Sequence, residues 1–156
     1  MSANQQPGKR AIKQQVRTVE EVCAERGVRL TTMRREVYRA LVASRAPMTA
    51  YDLMDHLSEE LGRRLAPPTV YRALEFLLDQ GLIHRLESTN AYLPCNHPGT
   101  EHDSIYLLCH ECGATAEITD ERVGLLIFED SDALGFRPIR QVIEVQGVCQ
   151  DCAPPL

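Results

Sequence analysis

The chain has 156 residues, room for one large domain or two small ones. Hydrophobic residues make up 44% and charged residues 25%, the balance of a soluble globular protein, and no apolar run approaches the roughly 18 residues of a membrane span. The net charge of −5 argues at first against a polyanionic partner, but it is unevenly spread: residues 1–86 carry 14 Lys and Arg against 10 Asp and Glu, whereas residues 87–156 carry 3 against 12, which suggests that only one half meets a polyanion.

Residues 1–17 are polar and basic, contain Pro7-Gly8 and lack an apolar core segment. They read as a frayed or disordered N-terminus rather than a secretory signal, and a cytoplasmic location is expected. From Thr18 the pattern is helical: Val19, Val22 and Cys23 share a face at i, i+3, i+4. Cys23 reads as a small buried hydrophobe. A second helix follows Leu30, capped by Thr31 or Thr32, with Val37, Tyr38, Ala40 and Leu41 as its apolar stripe. Ser44-Arg45-Ala46-Pro47 breaks it. A third begins near Thr49, where Asp52 stands three residues on in a shortened capping box, and Gly62 closes it.

The fourth helix starts after Ala66 on Pro67-Pro68. Val70, Ala73, Leu74 and Leu77 fall on one face at 100° per residue; Tyr71, Arg72, Glu75 and Asp79 fall on the other. Thr69, Tyr71 and Arg72 therefore project from its first turn, away from the core. Two short strands, Leu82–Leu86 and Ala91–Leu93, follow around the polar turn Glu87-Ser88-Thr89-Asn90. Three core helices and then a hairpin is the order of a winged helix-turn-helix, whose recognition helix presents its N-terminal residues to base edges. Arg72 suits a bidentate contact to guanine, and Tyr71 a thymine methyl or a phosphate.

Cysteines organise the second half. A strand over 104–108 runs into Cys109-His110-Glu111-Cys112-Gly113, a second strand spans Ala114–Thr119, and a helix over Asp120–Leu134 places Val123, Leu126 and Ile127 on one face. A strand over Arg137–Gly147 then delivers Cys149-Gln150-Asp151-Cys152. Each Cys-x-x-Cys folds into a knuckle whose thiolates converge, and two knuckles complete a closed tetrahedral zinc site. Its all-thiolate shell leaves no position for substrate water, which makes the site structural. The 36 residues between the pairs exceed the usual zinc-ribbon spacing, and the inserted helix accounts for the excess.

Further ligand types gather around the linker: His84 on the first wing strand, Cys95 and His97 after the second, His102 in the loop and Glu117 on the strand after the first knuckle. A set of His84, Cys95, His102 and Glu117 offers one sulfur, two nitrogens and a carboxylate oxygen, a mixture that suits Zn2+ better than Fe2+, Mn2+ or Mg2+. There is no His-Glu-x-x-His, no nucleophile–base pair and no phosphate-cradling glycine loop, so no catalytic residue is assigned and an enzyme is not expected.

With Pro67-Pro68-Thr69-Val70-Tyr71-Arg72-Ala73-Leu74 ahead of two Cys-x-x-Cys pairs, the chain resembles the ferric uptake regulator family after about residue 18. Arg29-Leu30-Thr31, Ala50-Tyr51-Asp52-Leu53, His84 to Asn90 and Cys109-x-x-Cys112-Gly113 make it similar to the zinc-responsive branch. The resemblance implies an α+β fold: an N-terminal winged helix-turn-helix (18–94), a hinge (95–103), and an α/β dimerisation domain (104–156) with a four-cysteine zinc-ribbon-like site. It implies a homodimer, paired through the second domain's sheet and helix, that represses zinc-uptake genes on an AT-rich palindromic operator in double-stranded DNA. It implies two Zn2+ per chain, structural at Cys109, Cys112, Cys149 and Cys152 and regulatory at His84, Cys95, His102 and Glu117. Tyr51, Tyr71 and Arg72 match positions that meet DNA in the family. The alternative within the family is a sensor of iron, manganese, nickel or peroxide. The His-rich stretch of those sensors is reduced here to His102-Asp103, Thr32 stands where a proline is usual, and His97 and His110 are extra imidazoles open to either metal site.

Overall fold

The computed structural model describes residues 7–44, 46–100, 104–139 and 141–153. The chain divides into two compact units between Gly99 and Thr100. The first unit thus takes in residues 95–99, which the sequence assigns to a hinge.

The first unit is built from helices α1 (Lys9–Glu25), α2 (Thr32–Ala43), α3 (Ala50–Leu61) and α4 (Pro67–Asp79) with strands β1 (Met48–Thr49), β2 (Ile83–Leu86) and β3 (Ala91–Pro94). Helix α1 begins well before Thr18, so residues 9–17 are helical and not frayed; the remainder of the expected frayed segment, residues 1–6, lies outside the described residues. The physical reason is that Ile12 and Val16 carry the Val19–Cys23 face back by two turns and pack against the core, while the intervening Lys, Arg, Gln and Ala are good helix formers. Thr31 caps α2 by accepting from the Arg34 N–H, and Thr49 and Asp52 close a reciprocal capping box on α3. Helix α4 opens on the two prolines and buries Val70, Ala73, Leu74 and Leu77, as its periodicity requires.

Strands β2 and β3 form an antiparallel hairpin in which His84 faces Leu93 and Arg85 faces Tyr92. The unanticipated β1 pairs with β3 on its other side, Met48 with Tyr92 and Thr49 with Ala91, giving the order β1-β3-β2. The core of this unit is one continuous cluster running from Val19 through Leu41, Leu53 and Leu77 to Ile83 and Tyr92. Cys23 belongs to it, and burial raises its thiol pKa, so it is the packed hydrophobe the sequence suggests.

The second unit contains β4 (Ile105–Cys109), β5 (Thr115–Ile118), α5 (Glu121–Ala133) and β6 (Ile143–Gly147). Its sheet has the order β5-β4-β6, with β4 antiparallel to β5 and parallel to β6. The expected strand over Arg137–Gly147 is shorter than its apolar alternation suggests. Pairing starts only at Ile143; Pro138, which has no N–H to donate, stands in the segment before it, and Ile139 is fully exposed. Arg140 lies outside the described residues. Helix α5 forms where expected, capped by Asp120, but Leu126 on its apolar stripe is exposed, and so are Leu125 and Phe128. Among the described residues, no helix is long and apolar enough to cross a membrane.

Candidate metal centres and nucleic-acid interface

The two Cys-x-x-Cys pairs converge. The first knuckle closes at the end of β4: the Gly113 N–H donates to the Cys109 carbonyl at 3.0 Å, with Gly113 at φ +71°, a conformation glycine adopts without strain. The second closes beyond β6, where the Cys152 N–H donates to the Cys149 carbonyl at 3.0 Å. Because β4 and β6 are parallel neighbours, both strands deliver their knuckles to the same end of the sheet, and the His110 N–H donates to the Gly147 carbonyl at 2.8 Å to tie them together.

The four sulfurs lie within 4.8 Å of one another, and none is in a disulfide. A tetrahedral zinc with Zn–S bonds of about 2.3 Å has sulfur–sulfur edges of about 3.8 Å; Cys112 and Cys149 stand 3.7 Å apart. Backbone N–H groups are aimed at the cluster. That of Cys149 donates to Cys109 Sγ at 3.3 Å, and with a second from Cys112 it pulls the Cys109 pKa down to about 6. The Cys152 thiol, hydrogen-bonded first to Cys112, is pushed up to about 12. Four sulfurs this close cannot all ionise beside one another without a cation to balance them, and a divalent thiophilic ion does so. The donor set fits zinc. His110 does not join it: its Nδ1 lies 3.6 Å from a Glu111 carboxylate oxygen and the ring is exposed.

The other candidate ligands divide between the units. In the first, His84 on β2 and Cys95 just past β3 bring a ring nitrogen and a sulfur within 4.8 Å of each other. Cys95 is buried and its N–H donates to the Leu82 carbonyl at 3.0 Å, which fixes it beside the hairpin. His97 reaches Cys95 Sγ through its backbone N–H, at 3.4 Å. In the second unit, Glu117 lies on β5 opposite Tyr106 and accepts the Ser104 hydroxyl on Oε1 at 2.6 Å. Ser104 is a buried polar residue that no spacing or motif singles out; only the fold of β4 against β5 brings it to Glu117. His102 lies outside the described residues.

The nucleic-acid candidates are all on the surface of the first unit. Thr69, Tyr71 and Arg72 are exposed on the first turns of α4, and Tyr51 is exposed at the start of α3. The buried face of α4 holds them there, because Val70, Ala73 and Leu74 alternate with them and are locked in the core. The wing turn is stiffened by Arg85, whose guanidinium donates to the Asn90 side-chain oxygen, with Asn90 in the left-handed region at φ +53°.

Residues 25–146 match the model of the ferric uptake regulator family. The chain is 42% identical over 134 residues to the zinc uptake regulation protein of Escherichia coli (strain K12), a match covering 85% of this chain and 78% of that protein. It is similar to the solved structure of a zinc uptake regulator complexed with zinc and DNA, at 39% identity and a TM-score of 0.86 over 90% of this chain and 94% of that one. It is also similar to the crystal structure of holo XcZur, at 43% identity and a TM-score of 0.81 over 88% of this chain and 95% of that one.

Proposed function

The chain belongs to the ferric uptake regulator family, and from that premise we propose that it is a zinc-responsive transcriptional repressor that binds operator DNA as a homodimer and controls zinc-uptake genes. The observation that carries the reading is the content of the first unit. The same small domain exposes Thr69, Tyr71 and Arg72 on its fourth helix and holds an imidazole and a thiol within 4.8 Å of each other behind its wing. A thiolate in the sensing set favours zinc over iron, manganese or the peroxide-sensing N/O sites.

Each chain would hold two zinc ions. Cys109, Cys112, Cys149 and Cys152 would keep one as a structural element of the second unit. His84, Cys95, His102 and Glu117 would hold the regulatory one, a set drawn from both units. When bound, such an ion would supply a cross-link between groups on either side of residue 100 and so would favour one arrangement of the two reading heads over others. The protein's own groups do the reading. The Arg72 guanidinium donates in parallel to the O6 and N7 of a guanine, and Tyr51, Thr69 and Tyr71 contact thymine methyls or phosphates. An AT-rich palindrome fits a two-fold dimer, whose half-sites repeat at multiples of about 34–36 Å. The second unit supports pairing of two copies: Leu125, Phe128 and Ile139 line an exposed groove of about 450 Å³ between α5 and the segment before β6.

Gel-shift titration of the full chain against such a palindrome tests the reading. Binding is expected with zinc and not with a chelator, and two zinc ions per chain are expected, one of them removed by mild chelation; equal binding in the chelator overturns it. Cys95→Ser is expected to keep the fold and the dimer and to lose the zinc response, whereas a collapse of the fold would make Cys95 structural. Arg72→Ala is expected to cost about 1–3 kcal/mol of operator binding and to relax base preference at one position per half-site.

A further inference from the structure

The turn between α3 and α4 carries Arg63 and Arg64, which belong to none of the groups described above. Both are exposed, yet the turn itself is pinned at both ends. Gly62 leaves α3 in the left-handed region at φ +64°, and the Arg63 N–H donates to the Ser58 carbonyl at 3.1 Å. The Leu65 N–H then donates to the Ser58 hydroxyl at 3.1 Å, and the Leu65 side chain is sunk in the core. The two guanidiniums are therefore presented from a fixed backbone, four and three residues ahead of the recognition helix.

Among the described residues their charge is not used. Arg35 is taken up by Glu20, and Arg39 by Glu36 and Glu60. Arg63 and Arg64 have no acidic partner among the described residues. The first turn of α4 has a corresponding deficit. Helices that approach phosphates ordinarily use their N-terminal amides. Here Pro67 and Pro68 have no N–H, and the Thr69 N–H is already donated to the Ala66 carbonyl at 3.0 Å. The helix that enters the groove has no spare first-turn amide for the backbone beside it.

We infer that Arg63 and Arg64 form a phosphate clamp on the DNA backbone flanking the recognition helix, supplying from side chains the donors that the two prolines remove from α4. The inference rests on the DNA-binding reading above. Phosphate contacts fix register and carry no sequence information, and each one releases counterions when it forms. The clamp therefore acts on the salt dependence of binding and leaves base discrimination to Arg72.

The test is a salt titration of operator and random duplex binding by the zinc-loaded full chain, its R63Q/R64Q variant and its R63K/R64K variant. For two phosphate contacts the slope of log affinity against log salt falls by about 2 in the glutamine variant. Between 50 and 200 mM salt the parent then loses about tenfold more affinity than the variant. The ratio of operator to random binding stays the same, and the lysine pair, which keeps the charge, restores the slope. Equal slopes in the parent and the glutamine variant overturn the clamp while leaving the repressor reading intact. A collapse of the operator-to-random ratio, as in Arg72→Ala, would make these residues base readers and overturn it as well. A parent that binds no duplex at any salt sinks both readings together.

Discussion

Between Val19 and Tyr92 the chain closes one apolar core, led by leucine and valine, in which Leu53, Leu57, Leu77 and Leu82 have no accessible surface. Between Ser104 and Ala153 it does not. There the buried side chains are Ser104, Ile105, Tyr106, Cys109 and Ala114, while Leu134 is 85% exposed and Phe128 57% exposed. A three-stranded sheet and one helix with an exposed apolar face cannot bury enough apolar surface to offset the ordering of their chain. On the proposed reading the second unit's four cysteines would replace that missing core with metal–sulfur bonds, and its exposed apolar helix would leave the remainder to a second copy. The first unit is thus stable by packing, and the second, on the proposed reading, would be stable by ligation.

The comparison breaks most visibly if a thiolate is removed. Cys112→Ser would leave three sulfurs for the ion, and a loss of part of the roughly 10–16 kcal/mol that a structural zinc contributes is expected there. Hydrogen exchange on the full, zinc-loaded chain should show the amides of β4, β5 and β6 unprotected while those of α2, α3 and α4 keep their protection. Simultaneous loss in both units would mean that the first also depends on the metal, and the contrast would fail.

Leu77→Ala is the converse change and the next in size. The side chain is fully buried on α4, so the cavity costs about 2–5 kcal/mol. Denaturant melts followed by exchange should show the first unit weakened, with the zinc content of the four-cysteine site unaltered. Zinc lost in step with the helix would show that ligation and packing are coupled.

Legibility in the sequence follows the same division. Helix α4 can be read because its apolar residues recur at helical spacing and its prolines mark its start. The cysteine pairs can be read because the ligand spacing of a knuckle is local. What escapes is what only tertiary contact decides. Ile12 and Val16 look sparse among Lys, Arg and Gln until α2 and the core supply something to pack on. The two residues of β1 are too short for any period and become a strand only because β3 lies beside them. In the opposite sense, the alternation from Arg137 promises a longer strand than forms, since a pattern of apolar residues does not say whether anything covers Ile139. The Ser104–Glu117 hydrogen bond depends on the register of β4 against β5, which no motif encodes.

The smallest change sharpens the comparison through pH. The Thr49 hydroxyl and N–H both donate to the Asp52 carboxylate, at 2.6 and 3.0 Å, and they lower its pKa, the hydroxyl more than the N–H. Because the folded pKa is depressed, the ionised carboxylate stabilises the first unit above the ordinary aspartate range, and that contribution is lost as pH falls through the lowered value. Thr49→Ala should cost about 1 kcal/mol near neutrality. The cost should shrink in part on acidification, when the parent loses the hydroxyl-to-carboxylate bond but keeps the Asp52 N–H donated to the Thr49 hydroxyl; urea melts read through the amides of α3 measure it. A cost that stays constant with pH would show that the ionised carboxylate contributes nothing to the cap. Acid acts on the second unit by another route, since protons compete with zinc for the four thiolates. The second unit should therefore unfold first on acidification, at a pH where the first has lost no more than its capping box.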